Sequence, residues 1–399
     1  MHTPDTPPIR IAIAGLGKMG LSHQAIVNAH PGLELVAVCD PATYLLDIIG
    51  RYTRVATYSD YARMLERERL DAVLVATPSR MHARMVRTAL ERGLDVFCEK
   101  PFCLDVEEGA RLVALAAERG AVTQVGYHNR FLGTFEEVRR LLDVDAIGRV
   151  HHARVDCYGP VVLRPKGATW RSSRNEGGGC LYDYACHGID LLNFTVGAPA
   201  GVSGSILSSV FSASADDEVY TNLSYADGKT AQLSANWSDD SHRKMSTTLV
   251  LWGTNGKIEA SRQELHIHLR TPVAARPDLE AGWNVRYTTD LTRPVWFYLR
   301  GEEYSAQIDY FAESIRQRRI DSHCGLAAGL ATDLVAYMIR RDAAGTVDAG
   351  LGLGLGAGAG AGAATGLATA RGAPGRWGRL RDTVLSSPET IMKALKGSP

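Results

Sequence analysis

The chain has 399 residues, 45% of them hydrophobic and 22% charged, with 44 Lys+Arg against 44 Asp+Glu. That length supports two to three domains with self-sufficient cores, which excludes a small disulfide scaffold, and the composition excludes a disordered polyampholyte. A net charge of zero provides no counterion-release term for a polyanion, so no nucleic-acid partner is predicted.

Seven scattered cysteines (Cys39, Cys98, Cys103, Cys157, Cys180, Cys186, Cys324) contain no C-x-x-C pair, so neither a disulfide framework nor a zinc knuckle is expected and the compartment reads as reducing. Residues 1–10 hold three prolines and no apolar signal-type run, which makes the cytoplasm the expected location.

From Ile9 onward, short apolar β-branched runs alternate with longer amphipathic stretches, the pattern of a parallel sheet covered by helices on both faces. The runs are IRIAIAG (9–15), LELVAVCD (33–40), LDAVLVAT (70–77), LDVFCEK (94–100) and AVTQVGY (121–127), with helical stretches at 79–92 and 106–119. Residues 1–126 therefore read as a doubly wound Rossmann domain. Period-2 segments follow at 151–158, 202–211, 218–225, 231–237, 247–252 and 264–269, punctuated by Asp227-Gly228 and Asn255-Gly256. These predict an open, mostly antiparallel sheet in a second α/β domain over 127–345, with helices near 181–194, 303–318 and 326–341.

Residues 346–370 are expected to form a linker, because 349–370 is an uncharged Gly/Ala stretch of low complexity. Its 22 residues equal a membrane span in length, but eight glycines and only four leucines make it a poor one, so membrane insertion is not predicted. Residues 371–399 carry a net charge of +4 and read as a basic tail, either solvated or a docking element.

Gly15-Leu16-Gly17-Lys18-Met19-Gly20 fits G-x-G-x-x-G directly after the first strand and at the opening of a helix, the place where glycines let backbone approach a pyrophosphate at a helix N-terminus. Asp40 closes the next strand 20 residues after Gly20, where a carboxylate bonds a ribose diol and repels a 2′-phosphate. No arginine follows within 41–47 to receive that phosphate, although Arg51 and Arg54 lie further on; NAD is expected over NADP.

Thr77-Pro78-Ser79 and Glu99-Lys100-Pro101 close the third and fourth runs, at the carboxyl edge where ligands bind in such sheets. From position alone Lys100 reads as a surface lysine; as a functional group it would polarise a substrate oxygen. Asp183 and His187, behind Gly177-Gly178-Gly179, are spaced i, i+4, so a helix projects both from one face. A carboxylate beside an imidazole raises its basicity, as a general base needs, though such a pair taken alone is more often a surface ion pair or a satisfied core histidine. No third ligand stands at familiar spacing, so no metal is predicted; His266 and His268 alternate on a strand, and His151 and His152 point to opposite faces.

Together, GLGKMG (15–20), Asp40, ATPSRMH (76–82), EKP (99–101), GYHNRF (126–131), WR (170–171) and GGGCLYDYACHGIDLL in its glycine-rich setting resemble the glucose-fructose oxidoreductase, inositol dehydrogenase and rhizopine-catabolism (Gfo/Idh/MocA) family over about residues 9–345. The resemblance implies hydride transfer between a nicotinamide and a carbinol carbon of a sugar, cyclitol or related polyol, and a homodimer or homotetramer built through the second domain's sheet. It assigns Gly15, Gly17, Lys18, Met19, Gly20, Asp40, Thr77, Pro78, His82, Glu99 and Lys100 to the cofactor, with a cis Lys100–Pro101 bond. His187 becomes the acid/base, Asp183 a substrate anchor and Lys100 the group at the developing alkoxide, while His128 and Arg171 fall on the substrate side. Two alternatives stay open at this point: retained NAD used in a cycle without net redox, as in a glycosidase-like reaction, and a catalytically silent nucleotide-binding regulator.

Overall fold

The computed structural model describes residues 7–162, 173 and 176–351. Residues Ile9–Ala14 (β1), Leu33–Cys39 (β2), Ala56–Tyr58 (β3), Ala72–Val75 (β4), Asp95–Cys98 (β5) and Thr123–Val125 (β6) form a parallel sheet in the order β3-β2-β1-β4-β5-β6. Strands β1 and β4 are buried on both faces, which explains why they read as continuous apolar runs. Helices Lys18–Ala29 (α1), Thr43–Tyr52 (α2), Tyr61–Arg67 (α3), His82–Glu91 (α4) and Val106–Glu118 (α5) make the crossovers. The strand order reverses between β1 and β4, so the loops that leave these two strands flank one crevice.

Gly133–Asp143 (α6) leads into the second sheet, whose order is β14-β13-β12-β11-β7-β10-β9-β8. Its strands are Val150–Tyr158 (β7), Gly201–Ser208 (β8), Glu218–Ser224 (β9), Thr230–Asn236 (β10), Ser246–Gly253 (β11), Gly256–Ala260 (β12), Glu264–Leu269 (β13) and Gly282–Tyr287 (β14). Among the described residues of this sheet, only the central β7–β10 pair is parallel. The inner residues, such as Val155, Leu233, Leu249 and Ile258, pack against α6 and Cys186–Val196 (α7), while the opposite face keeps polar and aromatic side chains partly exposed. This is the α/β architecture expected from the sequence, with three strands added: β3, β12 and β14.

After the short helix Thr288–Leu291 (α8), Glu302–Arg316 (α9) returns to the first domain, where Ile308, Phe311 and Ile315 share a core with Ile11, Ile13 and Phe97. The chain therefore crosses the 126/127 boundary twice in space, and the second segment supplies part of the cover of the first sheet. Leu326–Leu351 (α10) packs against α5, α7 and β8, and its last residues continue as helix into the segment expected to open the 346–370 linker. The rest of that linker and the tail at 371–399 lie outside the described residues. Among the described residues, no helix is long and apolar enough to cross a membrane, and all seven cysteines are free and buried.

Candidate active site

The turn after β1 is built by its glycines. Gly15 has φ +93°, and a Cβ there would lie 2.6 Å from the Ala76 carbonyl oxygen; a Cβ on Gly20 would lie 1.8 Å from the Gly15 oxygen. Gly17, in contrast, faces open space with nothing within 4 Å. It is also the N-cap of α1, where no side chain caps the helix and the first turn holds no acidic residue. The positive end of the helix dipole therefore faces open space over Gly17, where an anion has room. Lys18 and Met19 open α1 beside this turn.

Asp40 ties the crevice together: its Oδ2 accepts from the Leu16 N–H at 2.6 Å and its Oδ1 from the Ala42 N–H at 2.8 Å. The carboxylate stands at the end of β2 beside the glycine turn, where a ribose would follow the pyrophosphate. These residues fit a dinucleotide.

The loops after β4 and β5 are locked to each other. His82 is buried, with Nδ1 2.8 Å from the Pro101 oxygen and Nε2 2.8 Å from the Thr77 oxygen. Burial pulls its pKa below the ordinary imidazole value. Among the residues expected at the cofactor, His82 thus fastens the Thr77-Pro78 turn to the Lys100–Pro101 segment, whose peptide bond is cis. Glu99 likewise turns inward: its Oε1 lies 2.7 Å from His23 Nε2 on α1, and its Oε2 accepts from the Lys100 N–H at 3.2 Å. The same carboxyl group sits where a Cβ on Gly126 would come within 2.8 Å.

These contacts aim Lys100 across the cleft. Its Nζ donates to the Asp183 main-chain oxygen at 2.9 Å and to Asp183 Oδ1 at 2.8 Å. The segment 181–194, expected as one α-helix, begins instead with a π turn over Leu181–Ala185 and becomes regular only at α7. The wider turn carries Asp183, and Asp216 Oδ2 accepts from the Leu181 N–H at 2.7 Å to hold its start. π turns often mark functional positions. The expectation that Asp183 would support the His187 imidazole is corrected here in part: the carboxylate pairs with Lys100, and His187 Nδ1 is buried without a hydrogen-bond partner.

His187 is 4% exposed, and burial, then Lys100 and Arg262, holds its pKa well below the ordinary value. His128 meets it edge-on at 4.9 Å between ring centroids, and its own pKa is driven well down by burial, then by His187 and nearby cations. Tyr127 Oη and Asn129 Nδ2, from the same strand-to-turn segment, are also buried and unpartnered. Three polar atoms without a partner thus lie buried around the two imidazoles.

Sequence reasoning missed the other wall. Arg262 ion-pairs with buried Glu303, with a further contact of 3.3 Å to Asn129 Oδ1, and the Tyr304 ring stacks on His128 at 4.7 Å. No local spacing connects these residues to the GYHNRF segment, so only the fold reveals them. Arg171 lies outside the described residues. Among the described residues, no three His, Cys, Asp or Glu side chains converge as metal ligands.

The family model described as "Oxidoreductase family, NAD-binding Rossmann fold" matches residues 9–127, and the "GFO/IDH/MocA C-terminal domain" matches residues 135–259. The chain belongs to the Gfo/Idh/MocA family. Within it, the chain is 26% identical to the scyllo-inositol 2-dehydrogenase (NAD(+)) of Bacillus subtilis (strain 168), over 81% of this chain and 92% of that relative. It is 33% identical to the rhizopine catabolism protein MocA of Rhizobium meliloti, over 47% of this chain and 57% of that protein. Among solved structures, levoglucosan dehydrogenase in complex with NADH and levoglucosan superposes with a TM-score of 0.74 at 22% identity, covering 85% of this chain and 98% of that one.

Proposed function

We propose that the protein is an NAD-dependent dehydrogenase acting on a CH–OH group of a sugar, cyclitol or related polyol. The observation that carries this reading is the convergence, beside the Rossmann crevice, of a Lys100–Asp183 pair with a buried, uncharged His187 whose Nδ1 has no partner. The inositol dehydrogenase relative supports the substrate class.

Gly15, Gly17, Lys18, Met19 and Gly20 would hold the pyrophosphate, with Asp40 at the ribose and Thr77, Pro78 and Glu99 shaping the nicotinamide end. Bound there, the nicotinamide supplies the hydride acceptor. The remaining chemistry belongs to the chain. His187, neutral at pH 7, takes the hydroxyl proton, and Lys100 stabilises the oxygen as negative charge builds on it. Asp183 fixes the ammonium and offers its carboxylate to substrate hydroxyls, while His128 gives a further polar contact. Buried Glu99 and His82 act through the loops they hold rather than by touching the reacting atoms.

The reading includes a cytoplasmic enzyme that assembles as a homodimer or homotetramer through the outer face of the second sheet. That face supports it: Trp283 is 58% exposed, and Trp252, Tyr158 and Tyr220 lie partly open on the same side. The test is the appearance of reduced nicotinamide when the protein meets NAD or NADP with sugars, cyclitols and their derivatives. Formation of NADH with one substrate class supports it; demonstrated cofactor binding with no turnover of any polyol overturns it.

A further inference from the structure

Arg300 stands at the rim of this site and is used by none of the chemistry above. It precedes α9 with φ +70°, beside Gly301 at φ +144°. A non-glycine residue in the left-handed region is strained, and such settings persist where the surrounding fold imposes them, often at functional sites. The guanidinium carbon lies 5.3 Å from the centroid of the Tyr304 ring. That ring stacks on His128 at 4.7 Å with 17° between planes, and His128 meets His187 at 4.9 Å. A continuous series of contacts thus runs from an exposed cation to the buried imidazole.

Charge accounting isolates the same residue. Lys100 faces Asp183, and Arg262 faces Glu303, so each of these cations has a direct ion-pair partner, while the third nearby carboxylate, Glu99, turns to His23. Arg300 forms no ion pair and no hydrogen bond among the described residues, yet its charge reaches the site, being one of the influences that hold His128 uncharged. An exposed planar cation with no ion-pair partner attracts and orients a carboxylate.

We propose that Arg300 is a specificity-determining residue that binds the carboxylate of an acidic sugar or polyol, so that the substrates of this site are of the uronate or aldonate class. The proposal deepens the dehydrogenase reading and rests on it for the reaction, but its binding arm stands apart from turnover.

The experiment titrates the full-length, NAD-saturated protein by calorimetry with glucuronate, galacturonate and gluconate, each against glucose, galactose or sorbitol. The expected result is at least one acid bound about 10-fold or more tightly than its neutral counterpart, a preference lost in Arg300→Met, partly kept in Arg300→Lys, with NAD affinity unchanged. Failure of every acid to exceed its neutral counterpart overturns the proposal. So does an equal loss of acid and neutral binding in Arg300→Met, or a loss confined to NAD, which would turn Arg300 toward the pyrophosphate. If acids bind through Arg300 but no NADH forms, the redox reading fails while the carboxylate site stands.

Discussion

Lys100 Nζ bonds both the main-chain oxygen and the carboxylate of Asp183, at 2.9 and 2.8 Å, so a single ammonium joins the end of β5 to the π turn that begins the second domain's helix. The pair is nearly buried, with side chains 12% and 7% exposed. Lys100→Met keeps the bulk of the side chain and removes the charge that would meet the alkoxide. Turnover should fall about 1,000-fold, while NAD affinity, set at Gly15–Gly20 and Asp40, changes less than twofold. Steady-state NADH formation and NAD titration on the same preparation check this.

The glycine turn allows a sharper separation of binding from folding. A Cβ on Gly20 would sit 1.8 Å from a backbone oxygen, whereas one on Gly17 meets nothing. Gly20→Ala should therefore destabilise the protein by about 3 kcal/mol or more, since backbone has to move. Gly17→Ala should unfold at the wild-type midpoint and lose NAD affinity about 10-fold or more, because its methyl group enters the space over the helix N-terminus. Urea denaturation and NAD titration of the two variants make the comparison.

What the sequence disclosed follows from how each element is buried. Strands β1 and β4, covered on both faces, appear as unbroken apolar runs, and the glycine turn, EKP and the Asp183/His187 pair carry their own local spacing. Strand β3 has only three residues, and β14 alternates exposed Trp283, Val285 and Tyr287 with polar neighbours, so neither offers a core-facing pattern. The π turn at Leu181–Ala185 was hidden because residue composition does not distinguish a π turn from an α-helical one. The bonds His23–Glu99 and Arg262–Glu303 join residues 76 and 41 positions apart, a separation that carries no periodic signal.

A buried ion pair behind the site should show strong coupling. Arg130 grips Asp190 through Nη2 at 2.7 Å and Nε at 2.9 Å, with both side chains at most 5% exposed, and it also reaches the His323 carbonyl. This fastens the turn that carries His128 to the helix that carries His187. Asp190→Leu leaves a guanidinium without its counter-charge and should cost about 3–5 kcal/mol. The double variant Arg130→Met/Asp190→Leu should be more stable than that single one. Denaturant midpoints for the wild type, both single variants and the double variant read the coupling directly.

Acid should weaken the protein and its catalysis through the same imidazoles. His82, His128 and His187 are all held below their ordinary value, with burial the largest cause in each. The unfolded chain then binds more protons than the folded one once the pH drops below about 6.5, so stability is fully present above that value and is lost as pH falls toward the folded pKa values, by up to about 1.4 kcal/mol per pH unit for each histidine. His128→Asn should flatten the slope of urea midpoints between pH 7.5 and 5.5. Because His187 stays neutral in the folded state through this range, the acid limb of kcat/KM should lie below pH 6.5. His187→Ala should lower kcat/KM about 100- to 10,000-fold and remove that limb. An unchanged limb in His187→Ala would assign the proton transfer to another group.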